Sequence, residues 1–61
     1  MKEYDVVKLK SDFNNISAGT TGAIVLEYDG TAFEVEFFDK DGQTIDVVTT
    51  PMELLDLVKE I

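Results

Sequence analysis

Residues 33–37, Phe-Glu-Val-Glu-Phe, alternate strictly between apolar and acidic side chains. A period of two sends successive side chains to opposite faces of a strand. Phe33, Val35 and Phe37 therefore share one face, and Glu34 and Glu36 share the other. That is the pattern of an antiparallel strand buried on one side. Three further segments read as strands. Residues 4–9 (YDVVKL) are rich in β-formers, with Asp5, Val7 and Leu9 on one face and Tyr4, Val6 and Lys8 on the other. Val7 and Leu9 are assigned to the core. Residues 22–28 (GAIVLEY) form a second strand, but the apolar run from Ala23 to Leu26 is unbroken, so periodicity does not settle which face is buried. Residues 44–48 (TIDVV) form the strand after the alternating one, with Ile45 and Val47 expected to face Phe37 and Val35.

The connections carry turn chemistry. Asp29-Gly30, between two β-rich runs, predicts a two-residue hairpin of type I′, which needs positive φ at both central residues. Asp39-Lys40-Asp41-Gly42 predicts a type I turn with Gly42 in the left-handed position that follows it. The stretch KSDFNNISAGTTG is loop-like in composition. Phe13 and Ile16 within it are expected to pack back onto the core. Phe38 falls on the polar face with Glu34 and Glu36, where it either covers an edge of the core or stands exposed.

Residues 51–61 admit two readings. Thr50, Pro51 and Glu53 have the spacing of a capping box with proline at the first helical position, so a helix with Leu54, Leu57 and Val58 inward is one. The other, which we prefer, is one helical turn over residues 51–54 leading into a short strand, 55–58, beside the first strand. It covers an edge that would otherwise be unpaired. The chain thus reads as a single all-β domain, residues 1–61, with five short strands and one helical turn. No internal repeat, low-complexity tract or linker interrupts it.

Composition narrows the functional classes. The chain has 61 residues, 13 of them acidic and 5 basic, for a formal charge of −8, with no cysteine or histidine. All the basic residues are lysines. A domain this small buries only about 60% of the surface its unfolded chain exposes, so compact packing or oligomerisation must hold it. No disulfide or cysteine-based metal site is possible, and the commonest general base and transition-metal ligand is absent. The excess of carboxylate and the lack of arginine argue against nucleic acid and against anionic membranes. They suit a basic protein partner. No secretory signal or membrane-length apolar run is visible, and the cytoplasm is expected.

Candidate chemistry thins quickly. Glu34 and Glu36 lie about 7 Å apart by strand rise, but acid–base work would need a cleft that shifts one pKa. Asp39-Lys40-Asp41-Gly42 resembles part of a calcium loop, yet Val48 stands where that loop needs its glutamate. Ser11 and Ser17 have no base to activate them. Gly19-Thr20-Thr21-Gly22 lacks the lysine of a phosphate loop. No enzyme activity, metal or cofactor is expected. A surface remains: Glu27, Glu34, Glu36, Asp39 and Asp41, with Tyr28 and Phe38 nearby. Aromatics among charges have the make-up of a modest protein interface.

The strand order, with its long first loop, three-stranded meander and late helical turn, resembles an SH3-like barrel. EYDVVKLKSD, GTTGAIVLEYDG, FEVEFFDKDGQT and DVVTTPMELLDLV resemble a family of small bacterial proteins, frequent in cyanobacteria, known as domain of unknown function forty-nine twenty-six. The resemblance covers nearly the whole chain; Gly19, Gly22 and the FEVEFFDKDG hairpin are its most specific parts. It implies a fold and brings no established activity or site residues. Some members lie beside toxin-like genes, which implies an antitoxin or immunity role. GTTGAIV followed by a hairpin also resembles the KOW-type modules of ribosomal and transcription proteins, which bind RNA with basic loops. Here the matching loops carry Asp12, Asp29, Asp39 and Asp41, so that function is not carried over. Expected functions are a protein-interaction module with a basic partner, or a structural homo-oligomer, such as a segment-swapped dimer.

Overall fold

A computed structural model describes residues 1–61. Five strands run antiparallel in one sheet: β1 (Val6–Leu9), β2 (Thr21–Glu27), β3 (Ala32–Phe38), β4 (Thr44–Pro51) and β5 (Leu55–Lys59). A single 3-10 turn, Met52–Leu54, joins the last two. The spatial order is β4-β3-β2-β1-β5, which leaves β4 and β5 at the two ends of the sheet. No helix is long and apolar enough to cross a membrane.

The C-terminal stretch takes the turn-and-strand form. Leu55 is already extended, and β5 pairs with β1 through Leu9↔Leu55, Lys8↔Asp56, Val7↔Leu57 and Val6↔Lys59. The capping box does not form. Thr50 points into the core and its hydroxyl donates to the Val48 carbonyl at 3.0 Å, so it is not available to cap the turn.

Alternation in β3 does what the sequence says. Phe33, Val35 and Phe37 are buried, and they join Val7, Leu9, Ile16, Ile24, Val48 and Leu55 in one core of 9 residues. Burying each such side chain contributes about 1.5–3 kcal/mol. Phe13 packs against this core and Ile16 belongs to it, as expected of the first loop. Ile24 settles the face of β2; beyond it the register shifts, and Leu26 turns outward opposite Glu34.

The register of β4 differs from expectation by one residue. Val35 pairs with Val48, Glu36 with Val47 and Phe33 with Thr50. Ile45 and Val47 are therefore not the inward residues; Val48 and Thr50 are, and both Ile45 and Val47 are half-exposed. The cause is a bulge. Phe37 pairs with Asp46 and Phe38 with Thr44, so Ile45 is an extra residue in the ladder. One inserted residue exchanges the faces of everything beyond it.

The turns also depart from expectation in one place. Asp39-Gly42 is as predicted, with Gly42 at φ +84 and the Asp39 carboxylate accepting the Asp41 and Gln43 amides, each at 2.9 Å. Asp29-Gly30 is a hairpin connection but not type I′, because Gly30 has positive φ and Asp29 does not. Asp29 Oδ1 instead accepts the Thr31 hydroxyl at 2.6 Å and the Thr31 amide at 3.1 Å, a local turn that competes with the primed geometry. Positive φ at two successive residues occurs at Asn14 (53°) and Asn15 (67°), inside a small hairpin closed by Phe13 and Ile16. Asparagine tolerates the left-handed region through its short polar side chain.

Two sites fix the sheet and its ends, one between β2 and β3 and one at the termini. Gly22 lies where β2 approaches β3: a Cβ there would sit 2.7 Å from the Glu36 carbonyl oxygen and 2.8 Å from Val35 Cγ1. Asp5, fully buried on the Val7 and Leu9 face, uses its carboxylate as a clip. It accepts the Ile61 amide at 3.1 Å and the Lys2 amide at 3.0 Å, and the Lys2 ammonium lies 3.4 Å away. The Ile61 amide first, then Lys2, hold the Asp5 carboxyl below its ordinary value of 3.8 against the opposing effect of burial.

Two outcomes follow. Gly22→Ala should cost about 1–3 kcal/mol, because a carbonyl oxygen cannot move aside as a side chain can. Urea unfolding should show a lower midpoint at unchanged slope; an unchanged midpoint contradicts the close approach. The Asp5 carboxylate favours the folded state above pH 3.8, where the unfolded group is also ionised, and this stabilisation is lost as pH falls through the lower folded value. Asp5→Asn should therefore lower stability at pH 7 and flatten the loss of stability below pH 4. An acid-unfolding curve as steep as that of the parent chain would contradict the clip.

Candidate functional site

The outer face of the sheet is the side opposite the core. Its rows follow from the register. One row runs Val6, Ala23, Glu36, Val47 across β1 to β4; the next runs Leu26, Glu34, Thr49 across β2 to β4. Glu34 and Glu36 therefore stand between apolar or hydroxyl side chains, of which Leu26, Val47 and Thr49 are exposed, and not between other charges.

Hydroxyl groups hold both carboxylates. Glu34 Oε1 accepts the Thr49 hydroxyl at 2.7 Å, and its Oε2 accepts the Tyr28 hydroxyl at 3.1 Å. Glu36 Oε2 accepts the Thr44 hydroxyl at 2.5 Å, and its Oε1 takes part in no hydrogen bond within the molecule. Both side chains are half-buried. A carboxylate that already has a donor on one side is held in one orientation. An incoming cation then meets it with less side-chain ordering to impose. The nearest lysine in sequence, Lys40, lies at the tip of the β3–β4 hairpin, and the other four are outside residues 21–51.

The expected surface residues are only partly brought together. Glu34, Glu36 and Tyr28 form the ordered patch, with Tyr28 52% exposed. Glu27 pairs with Phe33 and so lies on the opposite parity, at the exposed end of β2. Asp39 spends its carboxylate on its own turn, and Asp41 is exposed at the hairpin tip. Phe38 is half-buried. It lines an open cleft of about 360 Å³ with Ala18, Thr21, Lys40 and Ile45, between the approach to β2 and the β3–β4 hairpin. That is the low end of the range for small-molecule sites, and its polar side chains, Thr20, Thr21, Asp39 and Lys40, are none of them buried. No group of histidine, cysteine or carboxylate side chains is placed to hold a metal. The Asp29 carboxyl, near this region, is held below 3.8 by the Thr31 hydroxyl first and the Thr31 amide second. This serves its turn.

Residues missed from the sequence matter here. Thr44, Thr49 and Val47 belong to the same outer face, and the misplaced register of β4 hid them. Asp46 was missed as well. Its Oδ1 accepts the Val47 amide at 2.8 Å. In a strand, each residue points its N–H and C=O to one side, and the side alternates. Val47 and Thr49 therefore face the open edge of the sheet, and Asp46, Val48 and Thr50 face β3. Asp46 covers one donor of that edge with its own side chain, a recognised way of blunting an edge strand.

No curated protein and no solved structure matches the chain significantly. A family model matches residues 3–57, nearly the whole chain. The five-stranded all-β domain with its hydroxyl-braced acidic face thus belongs to the family described as Domain of unknown function (DUF4926).

Proposed function

We propose that the chain is a cytoplasmic protein-interaction module, without enzymatic activity, that meets a basic protein through the outer face of β2–β4. The supporting observation is the pair Glu34 and Glu36, oriented by Tyr28, Thr49 and Thr44 and flanked by exposed Leu26 and Val47. Oriented carboxylates beside apolar surface offer both charge and contact area. The net charge of −8 adds long-range attraction for a cationic partner and repels nucleic acid and anionic lipid. A finer form of this reading is an antitoxin- or immunity-like inhibitor, a small anionic domain that neutralises a basic protein by covering it. Its support is the charge together with the resemblance to a family with members beside toxin-like genes.

A second reading, a homo-oligomer, is favoured by the open edge of β4. Eight residues of strand with no neighbour on one side are a template for pairing with another copy. Sedimentation over a hundredfold range of concentration should then show dimer; a monomer throughout removes it.

The leading reading is tested with Glu34→Lys/Glu36→Lys, positions whose substitution leaves the core intact. A protein that co-purifies with the parent chain should be lost from the double variant, while the unfolding free energy from urea stays within about 0.5 kcal/mol of the parent. Retention of the same protein, at the same salt, overturns the reading.

A further inference from the structure

Several features of the molecule carry nothing further. The open cleft at Phe38 lacks a built polar site, the Asp39 and Asp41 carboxylates serve or border a turn, and the buried Asp5 is consumed by the clip. The edge of β4 is different, because two independent features meet there. One is the backbone of Val47 and Thr49, which faces away from β3. The other is the pair of glutamates one strand further in, each in the same row as one of those residues: Glu36 beside Val47, Glu34 beside Thr49.

We infer that the partner is captured as an extended segment that adds to the free edge of β4 in antiparallel sense and carries lysine or arginine at alternate positions. This rests on the reading of the acidic face as the partner surface, and it names the mode and the sequence pattern of that partner.

The geometry of an added strand leads to the pattern. Residues of the added strand opposite Val47 and Thr49 are two apart, so their side chains share the outer face. Each lies in line with a glutamate, two strand spacings or about 10 Å from β3. A basic side chain there runs its apolar stem over Val47, which is 48% exposed, or over Thr49, and brings its charge to the carboxylate. At Glu36 that charge meets Oε1, the oxygen with no bond inside the molecule. The added backbone takes the Val47 N–H from Asp46, whose exposed carboxylate is released to solvent. Pro51 has no N–H to offer, which bounds the usable edge on that side. Main-chain bonds supply affinity and alternate side chains supply selectivity, as in other strand-addition complexes.

The probes are end-blocked nine-residue peptides alternating lysine and valine, titrated into the full ¹⁵N-labelled chain. The alternating peptide should shift the Val47 and Thr49 amides and slow their exchange with solvent. A peptide of the same composition with its lysines contiguous should bind more weakly. N-methylation separates strand addition from simple charge. In an antiparallel pair the lysines opposite Val47 and Thr49 point their N–H groups at β4. Methylating the lysine nitrogens should therefore weaken binding about tenfold or more, whereas methylating the valine nitrogens should leave it nearly unchanged. Glu36→Gln should weaken the alternating peptide about two- to fivefold.

If both methylated peptides bind as well as the parent peptide, the contact is charge on a face; the inference falls and the acidic-face reading survives. If the peptides bind β4 but ignore loss of the glutamate charges, the acidic-face reading falls, and with it the alternating-charge pattern. If no peptide binds, and sedimentation shows a dimer in which Val47 and Thr49 exchange slowly, the edge belongs to a second copy and the inference is overturned.

Discussion

Val35 and Phe37 pack across the bare Cα of Gly22, close enough that one added methyl would meet the backbone of β3. This contact sets where β3 lies against β2, and the rest follows from it. With Phe33, Val35 and Phe37 turned inward, Glu34 and Glu36 can only point outward. With β4 paired to β3 across the bulge at Ile45, Thr44 and Thr49 arrive where they can donate to those glutamates. The acidic face is the reverse side of the core, and neither can change register without the other.

Much of this was legible in the sequence. The alternation of residues 33–37 gave the faces of β3, and the β-rich runs gave the number of strands. A turn over 51–54 and a strand over 55–58 match the structure to within one residue, because an unpaired first strand is costly. What stayed hidden had local causes. The bulge at Ile45 leaves no mark in TIDVVTT, where both parities contain apolar residues and threonine serves inside and outside alike. The primed turn was assigned to Asp29-Gly30 because that pair favours it, but Thr31 offered the Asp29 carboxylate a local partner. The pair that adopts positive φ, Asn14-Asn15, lies inside a stretch whose composition reads simply as loop. Asp5 was visible on the Val7 and Leu9 face; its role was not, because its partners Lys2 and Ile61 are set by the return of β5 to β1.

The same economy explains the charge. A domain of this size has one core and no covalent staple, so each carboxylate with a structural duty is paired with donors: Asp5 with Ile61 and Lys2, Asp29 with Thr31, Asp39 with its hairpin amides. Glu34 and Glu36 are also paired with donors, but by side-chain hydroxyls on the surface, where no turn or terminus depends on them. Bracing of that kind orients a group without burying it. Beside it lies an edge strand that is partly covered by Asp46 but not closed, so the molecule combines a fixed charge pattern with a main chain able to accept another strand.

Amide exchange under native conditions reads the register of β4 residue by residue and so tests the arrangement most directly. The amides of Val48 and Thr50 should exchange slowly, near the rate set by global unfolding, because they bond to β3. Those of Val47 and Thr49 should exchange much faster, at the open edge. The opposite alternation, with Val47 and Thr49 protected and Val48 and Thr50 fast in the monomer, would place the other side of β4 against β3. It would thereby contradict both the acidic face and the edge beside it.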